Sequence, residues 1–591
     1  MWKVLSILMV FCAGPVLAQQ AADAVEPEAS GAGAFEGLPE NVMAALAAKD
    51  AGQPVKANDW MIAAANPHAV KAGADVLAAG GTAADALVAV QVVLGLVEPQ
   101  SSGLGGGAFL IWYDAASGSL TTLDGRETAP LEATPQLFQD EAGEPLKFFD
   151  AVVGGRSVGT PGTPALLAEV HARWGNQDWA SLLEPARVMA EQGFAVSPRL
   201  AALVDGDRER LSSSKVTADY FMPAGVPVVA GDILKNPGYA VTLETYANEG
   251  AKAFYGGRIG REIVATVRTA DNPGVLSETD MAIYQVKERA PVCAPYRAHE
   301  VCGMGPPSSG AVAVGQILAA LEGFDLSAGP QDPTVRMLIG DASRLAFADR
   351  GRYLADSDYV PVPVSGLLDP EYMQERAAVL GGDTALESVE AGNPDWDHAL
   401  LWADDESIEL PSTSHISIVD AKGNVASMTT TIENAFGSRL MVGGFLLNNE
   451  LTDFSFRSQA GGVPIANRVE PSKRPRSSMA PTIVLKDGAP VMAVGSPGGS
   501  RIIGYVAQTI IGVIDWGLDV QQAVSVPHAV NRFGTYDLEE GTEAAALEEA
   551  LGAMGYEVGL RSLTSGLHVI AIGNDLQGGA DPRREGVAVG Q

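Results

Sequence analysis

Ser412-Thr413-Ser414-His415-Ile416-Ser417-Ile418-Val419 leads into Asp420-Ala421-Lys422-Gly423-Asn424 and then Val425-Ala426-Ser427-Met428-Thr429-Thr430-Thr431-Ile432. The first run alternates, with Ile416 and Ile418 on one side and polar residues between them, which is the period of a strand and not of a helix. The middle stretch is turn chemistry, and Gly423 accepts a positive φ without steric cost. The last run is β-rich, with Thr429 and Thr431 on one face. Two strands joined by so short a turn form a hairpin, which lays the Thr431 hydroxyl within reach of Thr413.

A threonine hydroxyl is a weak nucleophile at neutral pH and needs a base. A threonine at a chain N-terminus carries its own, because a free α-amine titrates near pH 8, roughly 7.7–8.0, and can take the hydroxyl proton directly or through one water. The expectation is a cut between Ser412 and Thr413 that frees this amine. No histidine is required, which suits a chain with only 7 of them. Alone, Thr-Ser-His is more often an ordinary strand entry, so the residues around it must decide.

They do so as a set. Thr413-Ser414-His415, Ser417-Ile418, Gly423-Asn424, Thr429-x-Thr431-Ile432-Glu433 and Phe436-Gly437 together resemble the small-subunit signature of the γ-glutamyltranspeptidase family, with Ala426 where a valine is usual. Leu446-Leu447-Asn448-Asn449-Glu450-Leu451-Thr452-Asp453-Phe454, Lys473-Arg474-Pro475-Arg476-Ser477-Ser478-Met479 and Gly495-Ser496-Pro497-Gly498-Gly499-Ser500-Arg501 extend the likeness, which runs from about residue 55 to the C-terminus.

The resemblance implies an α/β (α+β) fold, a four-layer αββα sandwich of the N-terminal-nucleophile hydrolase type. It implies a large subunit, 55–412, and a small subunit, 413–591, that share one core as a self-derived heterodimer. The activity implied is that of a self-cleaving γ-glutamyltransferase and glutathione hydrolase. Its donors are γ-glutamyl compounds such as glutathione, its acceptors are water or an amino acid or peptide amine, and it uses no cofactor and no metal.

Residue by residue, Thr413 matches the nucleophile, with Thr431 as its hydroxyl partner. Arg126, in Asp124-Gly125-Arg126-Glu127, matches the arginine that holds the α-carboxylate, a role suited to a planar guanidinium. Ser477 and Ser478 match further carboxylate binders, and Glu433, Glu450 and Asp453 match ammonium binders. Gly498 and Gly499 offer two successive backbone N–H groups to a tetrahedral oxyanion; read alone, they also make a tight turn. Residues 455–476 contain no tyrosine and form a shorter loop than the lid of full-lidded relatives. That keeps a related acylase, cephalosporin acylase-like or poly-γ-glutamate processing, as a second reading. A secreted binding protein without chemistry is a third, and the intact nucleophile set argues against it.

The rest of the chain bounds the problem. Of 591 residues, 72 are acidic and 39 basic, for a net charge of −33, which excludes nucleic acid and anionic membrane surfaces as natural partners. Residues 1–18 read as a cleavable signal peptide, with Lys3 ahead of an apolar core too short to span a membrane, so the expectation is export to a periplasm with no membrane anchor. Residues 19–54 read as a flexible leader. Cys293 and Cys302 flank an eight-residue stretch that turns at Arg297-Ala298; this spacing fits a cross-strand disulfide, the alternative being two buried thiols. The Ala/Val-rich run after Asn66-Pro67-His68, broken at 79–82 and continued over 83–97, reads as a helix hairpin of small residues, with Thr82 as N-cap. The glycine-rich stretch 101–107 lacks the Lys-Ser/Thr of a phosphate loop and runs into a strand. The acid-rich stretch 384–411 reads as a solvated tail.

Overall fold

The computed structural model describes residues 35–591 apart from 397, 399, 400, 406, 408 and 411. The signal-like segment 1–18 and much of the leader lie outside the described residues. What is described of the leader departs from expectation: α1 (Glu40–Asp50) is a helix that buries Val42 and Ala45. Its Lys49 donates to the carbonyls of Arg584 and Gly586 at 2.8 and 2.7 Å. The Ala, Glu and Met content read as loose chain is equally that of a good helix former.

In chain order, the strands that follow are β1 (Val55–Ala57), β2 (Met61–Ala64), β3 (Gly107–Asp114), β4 (Ser119–Gly125), β5 (Lys287–Arg289), β6 (Val292–Tyr296), β7 (His299–Gly303), β8 (Ser414–Val419), β9 (Val425–Thr431), β10 (Thr482–Lys486), β11 (Ala489–Gly495), β12 (His568–Ile572), β13 (Leu576–Ala580) and β14 (Val587–Gly590). The helices that matter here are α2 (Pro67–Ala78), α3 (Ala83–Val97), α4 (Gly310–Leu321), α5 (Pro333–Tyr353) and α6 (Ile502–Ile514). One seven-stranded sheet runs β14-β2-β8-β9-β3-β4-β5, and the other β1-β13-β12-β11-β10-β7-β6.

Side-chain packing sets the layer order. Ile416 and Ile418 of β8 and Ala426 and Met428 of β9 join the residues of α2 and α3 in one apolar core. Val419, Val425 and Ile111 of the first sheet meet Ile483, Ala493 and Ile570 of the second in another. Val484, Met492 and Val494 turn away from that interface toward α4, α5 and α6. The chain is therefore a helix–sheet–sheet–helix sandwich, and the alternation of β8 divides its side chains between a helix layer and the space between sheets. Every residue of α3 is buried, as its Ala/Val/Leu composition requires, and Thr82 caps it in a capping box with Asp85.

The hairpin forms, with Ser414 opposite Thr430 and Val419 opposite Val425. Its second strand pairs on its far side with β3, Thr431 opposite Gly107. The glycine stretch before β3 exists for close approach: a Cβ on Gly106 would lie 1.9 Å from the carbonyl oxygen of Thr431. At a sheet edge, Cys293 and Cys302 face each other across the β6–β7 pair and are joined as a disulfide, with the turn at Arg297 in positive φ. Among the described residues, no helix is long and apolar enough to cross a membrane.

Candidate active site

Residues of odd number on β8 and β9 point between the sheets, and at the N-terminal end of β8 that space is polar. His415 bonds Thr429 at 2.9 Å and Ser417 at 3.0 Å. Burial, with the neighbouring His568 ring, holds the His415 imidazole well below its ordinary pKa, so it is neutral and fully engaged. It is not placed to serve as a base for Thr413, one position beyond it on the same face.

Thr413 sits at the mouth of the hairpin with its hydroxyl against the carbonyl oxygen of Ser412. Thr431 Oγ1 donates to that same carbonyl at 2.9 Å, accepts the Glu433 backbone N–H at 2.8 Å and lies 3.3 Å from Thr413 Oγ1. Two further contacts fix the peptide between Ser412 and Thr413: Ser412 Oγ donates to the Gln100 carbonyl at 2.8 Å, and Arg584 donates to the Thr413 carbonyl at 3.1 Å. The bond expected to break is thus held from both ends, with two hydroxyls on its carbonyl.

Around it lie Arg126, Glu433, Glu450, Asp453, Ser477, Ser478 and Gly499. The sequence-predicted residues come together, but two arrangements differ from expectation. Arg126 is buried and already paired with Glu450 and Asp453, and its remaining donors reach the carbonyls of Pro475 at 3.2 Å and Arg476 at 2.9 Å. Gly499, with φ +57°, lines the pocket, whereas Gly498, with φ +139°, is not among its lining residues.

Crowding three carboxyls in a buried space raises all of them. Burial first, then the like charge of Glu450, pushes Glu433 up to about 8. Burial also lifts Glu450 and Asp453, against the pull of Arg126. Asn449 donates to the carboxylate of Glu433. A cation brought among them would favour their ionised forms.

The stretch before Ser412 overturns the reading of a solvated tail. Asp405 and Glu409 are buried; Asp405 pairs with Arg476 at 2.8 Å, and Glu409 with Arg350 and with the Ser478 hydroxyl. Sequence reasoning missed Arg350 and Glu409 because each stands in a charged run, Arg350 two residues before the part-exposed Arg352 and Glu409 shortly after the exposed Asp404. The loop 455–476 does not close the pocket; part of it is a small hairpin, Gln459–Ala460 with Val463–Pro464, with Gln459 and Ala460 exposed. Glu409 and Leu410 cover Thr413 instead, and the cavity left is about 20 Å³, room for roughly one water.

The description of the gamma-glutamyltranspeptidase family matches residues 69–591. A glutathione hydrolase proenzyme of Bacillus subtilis strain 168 is 38% identical over 546 residues, 90% of this chain and 91% of that protein. Among solved structures, a cephalosporin acylase from Bacillus halodurans superposes with a TM-score of 0.80 at 27% identity, over 91% of this chain and 97% of that one. The gamma-glutamyltranspeptidase of Helicobacter pylori gives 0.55 at 33% identity, over 56% of this chain and 96% of that one. The sandwich is that of the N-terminal-nucleophile hydrolases, and by the extent of these matches the chain belongs to the gamma-glutamyltranspeptidase family.

Proposed function

We propose that this chain cleaves itself between Ser412 and Thr413 and then acts as a γ-glutamyl hydrolase and transferase, with glutathione as the reference donor. The observation that carries the reading is the Thr413 hydroxyl lying against the Ser412 carbonyl, with Thr431 bonded to the same oxygen. In the first stage, Thr413 Oγ1 attacks the carbonyl carbon of Ser412, the C–N bond breaks, and the acyl group moves to oxygen as an ester. Water hydrolyses that ester, giving a large subunit that ends at Ser412 and a small subunit that begins at Thr413.

The freed α-amine then serves as base for the same hydroxyl. Thr413 attacks a γ-glutamyl carbonyl, the oxyanion is received at the Gly498-Gly499 backbone, and the leaving amine takes a proton. The ester on Thr413 passes to water or to the amine of an amino acid or peptide. Arg126, Ser477 and Ser478 grip the α-carboxylate, and Glu433, Glu450 and Asp453 receive the α-ammonium.

The acylase relative is the competing case. The acid cluster favours a γ-glutamyl head, since a glutaryl group lacks the ammonium that three raised carboxyls await. The charged flank and apolar run of residues 1–18 support export of the mature protein. Intact mass and N-terminal sequencing of the purified protein, beside a Thr413→Ala control, test the first stage, and release of aniline from a γ-glutamyl anilide tests the second. Two chains in the first sample and one in the control are expected. One uncut chain in both, with no turnover, overturns the reading.

A further inference from the structure

Before the cut, the pocket already holds a carboxylate, and the chain supplies it. Glu409 lines the same cavity as Thr413, Glu433 and Ser477. One carboxylate oxygen receives Arg350 and the other receives the Ser478 hydroxyl, with Arg476 Nε 3.8 Å away. Burial works against charge here, yet the two guanidinium groups and the serine outweigh it and hold the Glu409 carboxyl below its ordinary value. It is an ionised, two-pronged, buried ligand.

This ligand cannot remain during catalysis. With Glu409 and Leu410 in place, the cavity of about 20 Å³ excludes any amino-acid donor, so segment 409–412 has to withdraw after the cut. What it leaves behind is preorganised. Arg350 Nε donates to Ser309 Oγ at 2.9 Å, and Ser309 Oγ donates to the Ser477 carbonyl at 2.7 Å. Arg350 Nη2 lies 2.8 Å from Ser478 Oγ. Arg476 stands beside it and loses Asp405 if the segment withdraws that far. A buried cation stripped of its carboxylate is strongly unfavourable, so the vacated place calls for another anion. Arg126 has four of its five N–H donors engaged by Glu450, Asp453 and two backbone carbonyls, which leaves room for a second cation to share the carboxylate.

We propose that Arg350, with Ser478, is a further carboxylate-binding residue of the donor pocket, occupied in the uncut chain by Glu409 and passed to the donor's α-carboxylate once segment 409–412 leaves. The inference rests on the proposed reading of the site, since it needs the cut and a donor with an α-carboxylate. Arg350 thereby adds a second guanidinium on the Ser478 side of the grip.

The test reads binding, so it does not depend on turnover. Processed protein is titrated in a calorimeter with L-glutamate and with L-isoglutamine, which carries an amide in place of the α-carboxylate. Wild type is expected to prefer L-glutamate by about ten- to a hundredfold, the worth of charge-assisted bonds in a dry site. Arg350→Lys keeps the charge but cannot hold Ser309 and the carboxylate at once, as Nε and Nη2 of Arg350 do, and is expected to lose most of that preference by weakening L-glutamate alone. If processed Arg350→Lys keeps the wild-type preference, or weakens both ligands equally, the proposal fails. A second arm does not need the Arg350 variant to fold or be cut: Thr413→Ala stays uncut with Glu409 in the seat, so it is expected not to bind L-glutamate. Wild-type affinity in that uncut protein overturns the proposal. Failure of the underlying reading appears separately, as an uncut wild-type chain or as no turnover of the anilide.

Discussion

Thr431→Val removes one oxygen from the cleavage site and leaves the shape nearly unchanged. That oxygen has three contacts: it donates to the Ser412 carbonyl at 2.9 Å, accepts the Glu433 N–H at 2.8 Å and faces Thr413 Oγ1 at 3.3 Å. The first contact bears on rate, because negative charge develops on the Ser412 oxygen as Thr413 attacks. Loss of one preorganised donor to such an oxyanion slows a reaction by roughly 10²–10³, or about 2.7–4 kcal/mol. The second contact bears on stability, because the buried Glu433 N–H loses its acceptor at a cost of roughly 1–3 kcal/mol. The two effects are measured apart. Self-cleavage is followed on a denaturing gel from freshly purified chain, with mass spectrometry locating the cut, and stability is measured by urea unfolding of uncut protein in a Thr413→Ala background. Thr431→Ser restores the hydroxyl and is expected to recover most of the rate. If the Thr431→Val chain, folded by circular dichroism, is cut at the wild-type rate, Thr431 does not stabilise the step and the geometry has been misread.

The raised carboxyls give a pH test. Glu433 holds its proton up to about pH 8 but loses it near its ordinary value in the unfolded chain. Between those two values the native state binds more protons, so this residue's contribution to stability is complete at low pH and is lost as pH rises through 8. Urea unfolding of uncut protein at pH 5, 7 and 9 is expected to show that decline, and Glu433→Gln to flatten it. An ammonium ligand reverses the preference, so L-glutamate binding to processed protein near pH 7 releases a proton, read from the buffer dependence of the calorimetric enthalpy; no release means that Glu433 does not face the ammonium. Gly106→Ala tests the backing of the nucleophile. Its Cβ would lie 1.9 Å from the Thr431 carbonyl oxygen, backbone that cannot step aside, so a loss of about 1–3 kcal/mol is expected together with slowed cleavage. A variant as stable and as quickly cut as wild type refutes the role given to that glycine.

The hairpin was legible because its information is local. Ile416 and Ile418 carry the period, Gly423 and Asn424 the turn, and the register that puts Thr413 and Thr431 on one face follows from two. The layer order was not legible from periodicity, since Val419, which faces the other sheet, and Ile418, which faces the helices, are equally apolar. That Arg126, Glu450 and Asp453 line one pocket was legible from motif resemblance alone, and their direct pairing was not foreseen.

Arg350 and Glu409 show where sequence reading fails for a physical reason. Arg350 lies on α5 in a stretch whose next arginine, Arg352, pairs at the surface with Asp404, and nothing in the spacing separates the buried arginine from the exposed one. Glu409 closes a run of acids whose charge count suggests hydration, and hydration is the correct default for a carboxylate without a known cation. The pairing is decided by tertiary structure, which brings a helix, a loop and the segment before the cut to one point. It also explains why an acidic stretch leads into the cut at all. A carboxylate four residues before Thr413 ties the segment to Arg350 and to Ser478 of the pocket lining, and so helps hold the scissile bond against the nucleophile that breaks it. The same tie fills the pocket until the bond is broken, so one contact holds the segment for cleavage and keeps the uncut chain closed to donors.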